Sequence, residues 1–145
     1  MNIPAASLTS HQAPALLVDV LLVTTADGGR TRLRALPMDV LQLSEACAQS
    51  VAVVMGATLR AQSGGLASGM VVGLKDAVLL RPADPATPAE VVVARLLDLP
   101  PFSIHAATAH DAQGVFFSAE VKTMMSPARA PNAATSPTSL PHGSP

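Results

Sequence analysis

The sequence predicts an α+β domain in which one long helix packs against an antiparallel β-sheet. The longest helical pattern spans 39–62, and it carries no charge between Glu45 and Arg60, which is typical of a helix buried on most of its surface. Short apolar or alternating runs lie before and after it, bounded by Gly, Pro and Asp turns, and this spacing is typical of strands. The predicted order is therefore β-β-α-β-β-β-β.

A β-hairpin is predicted at the start of this domain. The apolar run 15–24 and the alternating run 30–36 flank the turn residues 26–29 (ADGG), and glycine tolerates the positive φ of tight turns. Asp39 is expected to cap the helix, with Gln42 three residues later completing a capping box. The remaining strands are predicted to form an antiparallel meander, and they span 69–81, 89–98, 102–110 and 114–124.

Composition divides the chain into three parts. Residues 1–13 are small and polar and are expected to be loosely ordered, whereas 14–125 form the domain. The segment 126–145 holds five of the 13 prolines and is expected to be a disordered tail. Only 13% of the residues are charged, and a single sheet leaves a face or an edge to be covered. Burial against a partner chain is therefore predicted.

Charge and residue counts disfavour several classes of function. The formal net charge is −1, whereas a nucleic-acid-binding protein normally shows a clear basic excess. The single cysteine excludes an intramolecular disulfide, and the scattered histidines lack metal-ligand spacing, so no metal is expected. No lysine or arginine precedes Arg30, and no apolar run reaches about 18 residues. Neither a signal peptide nor a membrane span is expected, and the cytoplasm is the expected location.

One carboxylate stands out on the helix. Glu45 follows Gln42 by three residues and precedes Gln49 by four, so all three are predicted to share one face. A polar stripe on a buried helix must face water, a partner or a ligand cavity. A partly desolvated carboxylate there suits general acid–base catalysis. The alternative is a solvated glutamate near the helix start, favoured by the helix dipole.

Other polar positions also allow two interpretations. His11 lies just before the first strand and is either solvated or part of a site. The arginines at 30, 32 and 34 alternate along a strand and are predicted to share one face, either as a solvated surface or as a basic patch for an acidic partner. Gly73 lies within a predicted strand, where it marks a bulge or permits close approach of a ligand or another backbone. Cys47 is expected to be inert core.

Three segments, taken in order, carry a resemblance to a known family. They are 11–19 (HQAPALLVD), 44–49 (SEACAQ) and 69–82 (GMVVGLKDAVLLRP). Together they resemble the hotdog-fold 3-hydroxyacyl-[acyl carrier protein] dehydratases, and among these the short dehydratase-like proteins of aryl-polyene pigment biosynthesis. The resemblance covers about residues 11–125.

The resemblance implies a hotdog homodimer or heterodimer with an acyl tunnel at the subunit interface. The substrate is a 3-hydroxyacyl thioester on the phosphopantetheine arm of an acyl carrier protein, and no other cofactor is implied. In that family a histidine removes the α-proton and a helix carboxylate protonates the departing hydroxyl. Glu45 matches the carboxylate and Gln49 matches the glutamine one turn later.

The chain departs from the family pattern at the histidine. The loop that usually carries it, just before the helix, is only 35–38 (ALPM) here, so His11 is the candidate base. Gln49, Gln42 and Gly73 are then expected to bind substrate. Docking of the carrier protein is assigned to Arg30, Arg32 and Arg34.

Two alternatives remain open at this point. The first is an acyl thioesterase on the same fold, in which Glu45 would direct water to the thioester carbonyl. The second is a non-catalytic hotdog subunit of a heterodimeric dehydratase, since the usual histidine loop is absent.

Overall fold

A computed structural model describes residues 2–8, 16–35, 37–63 and 68–126. Over this part of the chain one long helix packs against one antiparallel sheet in the strand order β1-β2-β3-β5-β6-β7-β4, which confirms the α+β prediction. The elements are β1 Ile3–Pro4, a 3-10 turn Ala5–Ser7, β2 Val18–Thr25, β3 Gly28–Leu33, α1 Val40–Ser63, β4 Ser68–Leu79, β5 Glu90–Leu99, β6 Phe102–Asp111 and β7 Gly114–Ser126.

The helix starts with the predicted capping box. The backbone N–H of Gln42 donates to Asp39 Oδ1 at 2.8 Å, and the backbone N–H of Asp39 donates to Gln42 Oε1 at 3.0 Å. The pair satisfies two donors that would otherwise be free at the helix start. The stretch Val40–Gln62 is long and apolar enough to cross a membrane, and half of its apolar window is buried inside the fold. The core helices of soluble proteins show the same combination.

The predicted meander is correct for three strands and wrong for β4. Strands β5, β6 and β7 are sequential neighbours, but β4 pairs with β7 at the far edge of the sheet. The connection 80–89 therefore carries the chain past two strands to reach β5. Three strand spacings are about 14 Å, and a connection of this length spans that distance easily.

The helix is less buried than its composition predicts. One stripe, which we call the open stripe, comprises Leu41, Glu45, Ala48 and Ala52; Leu41 is 80% exposed and Glu45 is also exposed. The physical reason is that the sheet of one chain covers only one side of the helix. The edge strand β4 is also uncovered, and its helix-side residues Val71, Leu74 and Leu79 are 36–43% exposed. We call these three residues the open edge.

The N-terminal segment differs from the expectation of loose order. Ile3–Pro4 pairs with β2, and the side chain of Ala5 is fully buried in the core. This short strand extends the sheet beyond the predicted hairpin. His11 lies outside the described residues, as do residues 127–145 of the predicted tail.

Candidate functional site

A chain of hydrogen bonds joins the predicted carboxylate to the start of β2. Gln49 Nε2 donates to Glu45 Oε1 at 3.2 Å, and Gln49 Oε1 accepts the backbone N–H of Leu17 at 2.7 Å. Gln49 is only 1% exposed. Because the two ends of its amide hold different partners, its orientation is fixed. Glu45 is thereby tied to the segment that leads into β2.

The local sequence explains why this chain forms. Leu16, Leu17 and Val18 are all buried, so their backbone groups need partners within the protein. The Leu17 carbonyl accepts the backbone N–H of Arg34, and the Leu16 carbonyl accepts Arg34 Nη1. The Leu17 N–H is satisfied by Gln49, which reaches it from the helix.

Of the two predicted catalytic residues, Glu45 is among the described residues and His11 is not. Glu45 lies on the open stripe and is exposed in the single chain, so the expected desolvation requires a second chain over the helix. His11 precedes Leu16, the first described residue of its segment, by five positions. Their catalytic roles remain predictions.

The other two predicted substrate-binding residues lie apart from this chain. Gln42 is exposed and its side-chain oxygen is used in the capping box. On the predicted polar helix face, Gln42 and Glu45 are therefore exposed, whereas Gln49 is buried. Gly73 follows a register shift that begins at Val71, which agrees with the bulge interpretation. A Cβ placed on Gly73 would meet only Lys122, at 3.8 Å. Nothing in the described chain requires glycine there.

The three arginines differ in their positions relative to β3. Arg30 and Arg32 lie on the outer face of β3 and pair loosely with Glu90 at 3.6 Å and Asp19 at 3.9 Å. Arg34 lies just beyond the end of the strand at Leu33. Arg34 lines a cavity of about 590 Å³ between the start of α1 and the proline-rich connection.

An ion pair that the sequence did not reveal holds this connection. Arg81 donates to both carboxylate oxygens of Asp111, at 2.8 and 2.5 Å, and to the Gly114 carbonyl at 2.9 Å. Asp111 also accepts the backbone N–H of Asp84 at 2.8 Å. The hydrogen bond from Arg81 holds the pKa of the Asp111 carboxyl well below its usual range. The two residues are 30 positions apart in sequence, and Asp111 lies outside the three segments that carry the resemblance.

Cys47 and the metal-ligating residue types offer no second reactive centre near Glu45. Burial raises the pKa of the Cys47 thiol to about 12, so it is neutral at pH 7, as expected for inert core. Within the described ranges, no group of three or more His, Cys, Asp or Glu side chains could hold a metal ion.

Comparison with solved structures places the fold. The dehydratase heterocomplex ApeI:P from Xenorhabdus doucetiae has a TM-score of 0.67 and 15% identity, over 86% of this chain and 91% of that chain. A thioesterase from Haemophilus influenzae has a TM-score of 0.61 and 9% identity, over 87% and 90%. A sigma28-regulated virulence protein from Campylobacter jejuni has a TM-score of 0.62 and 9% identity, over 85% and 87%.

Sequence comparison adds nothing further, since no family model and no curated protein matches this chain. At these identities the structural similarity defines the fold alone. One long helix packed against an antiparallel seven-stranded sheet, together with these neighbours, shows that the chain has the hotdog fold.

Proposed function

We propose that the chain is a dehydratase-like hotdog protein that acts on 3-hydroxyacyl chains carried as thioesters on an acyl carrier protein. The observation that supports it most is the hydrogen-bond chain from Glu45 through Gln49 to Leu17. These hydrogen bonds join 11–19 and 44–49, two of the three segments that carry the resemblance. We assign the protein to aryl-polyene pigment or fatty-acid-type biosynthesis in the cytoplasm.

The proposed reaction is a β-elimination. His11 takes the proton from C2 of the acyl chain, and the electrons of that C–H bond form the C2–C3 double bond. The C3–O bond breaks, and the Glu45 carboxyl gives its proton to the departing hydroxyl, which leaves as water. Gln49 positions Glu45 by holding one carboxylate oxygen, so its effect on the reaction is indirect.

The proposal requires a second hotdog chain. Glu45 is exposed in one chain, and the open stripe and the open edge leave apolar side chains uncovered around it. A second chain on these surfaces would remove Glu45 from water and enclose an acyl chain beside it. The heterocomplex among the structural neighbours supports such an arrangement with a different hotdog subunit, and a second copy of this chain is the other choice.

The direct test is incubation of the purified protein with a 3-hydroxyacyl carrier protein, followed by mass spectrometry. Loss of one water from the acyl chain supports the dehydratase. We expect Glu45→Gln to lower this turnover by about 10²- to 10⁴-fold, the usual contribution of a positioned acid, while the oligomeric state stays unchanged. Turnover near the wild-type rate in Glu45→Gln would show that Glu45 is not the acid.

The two alternatives give different products in the same assay. Release of free carrier thiol without an enoyl product would identify a thioesterase. No reaction alone, but dehydration after addition of a hotdog chain that carries an intact histidine loop, would identify a non-catalytic subunit. His11→Ala separates the proposed base from a bystander, because unchanged dehydration in that variant removes His11 from the mechanism.

Carrier docking is proposed for Arg30 and Arg32 on the outer face of β3. Their ion pairs are long and partly exposed, so they contribute little stability and carboxylates of an acidic carrier can replace them. We expect the double variant Arg30→Glu with Arg32→Glu to raise KM for the carrier-bound substrate at low salt. With the same acyl group on free pantetheine, KM and kcat should stay unchanged. An equal loss with both substrates would show damage to the site instead of docking.

A further inference from the structure

A second cavity lies at the other end of the helix. It measures about 530 Å³ and lies between the C-terminal half of α1 and the sheet end formed by β5, β6 and β7. Its apolar wall includes Val54, Met55 and Leu59, all buried against the sheet. The polar lining residues are Asp27, Thr58, Gln62, Arg95, Asp98, Ser103 and His105.

His105 is the unusual residue of this cavity. It lies on the helix side of β6 and is only 5% exposed, yet neither ring nitrogen has a hydrogen-bond partner among the described residues. Buried polar side chains are normally hydrogen-bonded, and one left unsatisfied destabilises the fold. Burial, with a smaller contribution from Arg95, lowers the pKa of His105. The ring is therefore neutral at pH 7 and presents one donor and one acceptor nitrogen.

The charged groups at the cavity are already paired with one another. Arg95 Nη2 lies 2.9 Å from Asp27 Oδ1, and Arg95 Nη1 lies 3.6 Å from Asp98 Oδ2. Ser103 Oγ donates to Asp98 Oδ1 at 3.3 Å. The unsatisfied hydrogen-bonding capacity is therefore uncharged and belongs to His105, while the surrounding wall is apolar. An ion would gain little here, because the single arginine already faces two carboxylates.

This cavity is separate from the Glu45 site. Its helix residues, Val54 to Gln62, follow Glu45 by about 14–26 Å along the helix axis, at a rise of 1.5 Å per residue. Val54, Met55 and Leu59 also face the sheet, whereas Glu45 lies on the open stripe. A molecule in the cavity would therefore not contact Glu45.

We infer that this cavity binds a small uncharged amphipathic molecule whose hydroxyl or amide group pairs with His105. The group must donate a hydrogen bond to the acceptor nitrogen of the neutral ring, a bond that no described residue makes. Its apolar body would lie against Val54, Met55 and Leu59. The inference does not depend on the proposed reaction.

The test compares two isomeric probes, 1-octanol and 1-methoxyheptane, on the full chain with ¹³C-methyl methionine. Met55 and Met125 line the cavity, and Met70 is 55% exposed on β4 as a reference. We expect saturable NMR shifts of the Met55 and Met125 methyl groups and no shift of Met70. The alcohol should bind more tightly than the ether, which has no O–H donor, by about 2- to 12-fold for one net hydrogen bond.

His105→Leu should remove this preference, so that both probes bind equally. His110→Leu is the matched control, because His110 lies on the same strand and already pairs with Thr108 at 2.9 Å. The inference fails if neither cavity methyl shows a saturable shift, or if the wild-type chain binds alcohol and ether equally. The second comparison needs no variant, so it remains decisive even if His105→Leu does not fold.

Discussion

The buried polar groups at the two ends of α1 differ in whether they are hydrogen-bonded. Near the start, Gln49 is buried and both ends of its amide are hydrogen-bonded, while the charged Glu45 is exposed. Near the end, His105 is buried beside a cavity and no described residue pairs with either nitrogen. The polar groups of the first end are hydrogen-bonded within the protein but the end lacks a cover, whereas at the second end a buried ring lacks a hydrogen-bond partner among the described residues.

This difference indicates what each end needs from outside the chain. The Glu45 end needs a large apolar surface, because the open stripe and the open edge are broad and uncovered. The His105 end needs one uncharged polar group of small size. Substitutions at the two ends should therefore change stability with opposite signs, and only those at the first end should abolish turnover.

The largest effect is expected from Leu74→Glu on the open edge. Leu74 is 37% exposed on the helix side of β4, and a carboxylate there would be buried without a partner if a second chain covers it, at a cost of several kcal/mol. We expect a monomer in sedimentation and no dehydration. Val92→Glu is the matched control for the oligomeric state, since Val92 is 36% exposed but lies on the outer face of β5, opposite Arg30. A Leu74→Glu variant that keeps its oligomeric state and turnover would contradict the proposal that a second chain covers the open edge.

Gln49→Met should have the next largest effect. Methionine is close in shape but leaves the buried Leu17 N–H without a partner, at a cost of about 1–3 kcal/mol. The free energy of unfolding measured in urea should fall by that amount, and kcat should fall because Glu45 loses its support. Gln113→Met is the control, because Gln113 is exposed in the β6–β7 turn. Equal stability of the two variants would show that the hydrogen bond between Gln49 and Leu17 contributes nothing to the free energy of unfolding.

Local patterns in the sequence were enough to predict the helix and six of the seven strands, but not β1 or the strand order. The capping residues Asp39 and Gln42 defined the helix start, and the alternation of 102–110 and 114–124 defined β6 and β7. Pairing of β4 with β7 depends on contacts distant in sequence. Strand periodicity is the same whichever neighbour a strand has, so the sequence could not place β4 at the edge.

The candidate site was predicted in part for a similar reason. Glu45 and Gln49 are one turn apart, so helix geometry alone predicts their contact. The Gln49 contact with Leu17 depends on tertiary packing, as do the pairing of Arg81 with Asp111 and the unsatisfied state of His105. His105 and His110 are five apart in the same strand, and their spacing does not reveal which one has a partner.

The smallest effect, and one of opposite sign, is expected from His105→Leu without any ligand. Leucine removes an unsatisfied buried ring, so the free energy of unfolding at pH 7 should rise by about 1 kcal/mol. The pKa of His105 is lowered in the folded chain. As the pH falls below about 6.5, the unfolded wild-type chain takes up a proton that the folded chain binds less readily, and wild-type stability declines.

The variant lacks this decline, so its advantage should grow between pH 7 and pH 5, as measured by urea unfolding at each pH. His110→Leu keeps His105 and should follow the wild-type pH dependence. A constant difference between wild type and His105→Leu would mean that His105 titrates alike in the folded and unfolded chains. That result would require a hydrogen-bond partner or solvent at the ring, and the contrast between the two ends of α1 would then be lost.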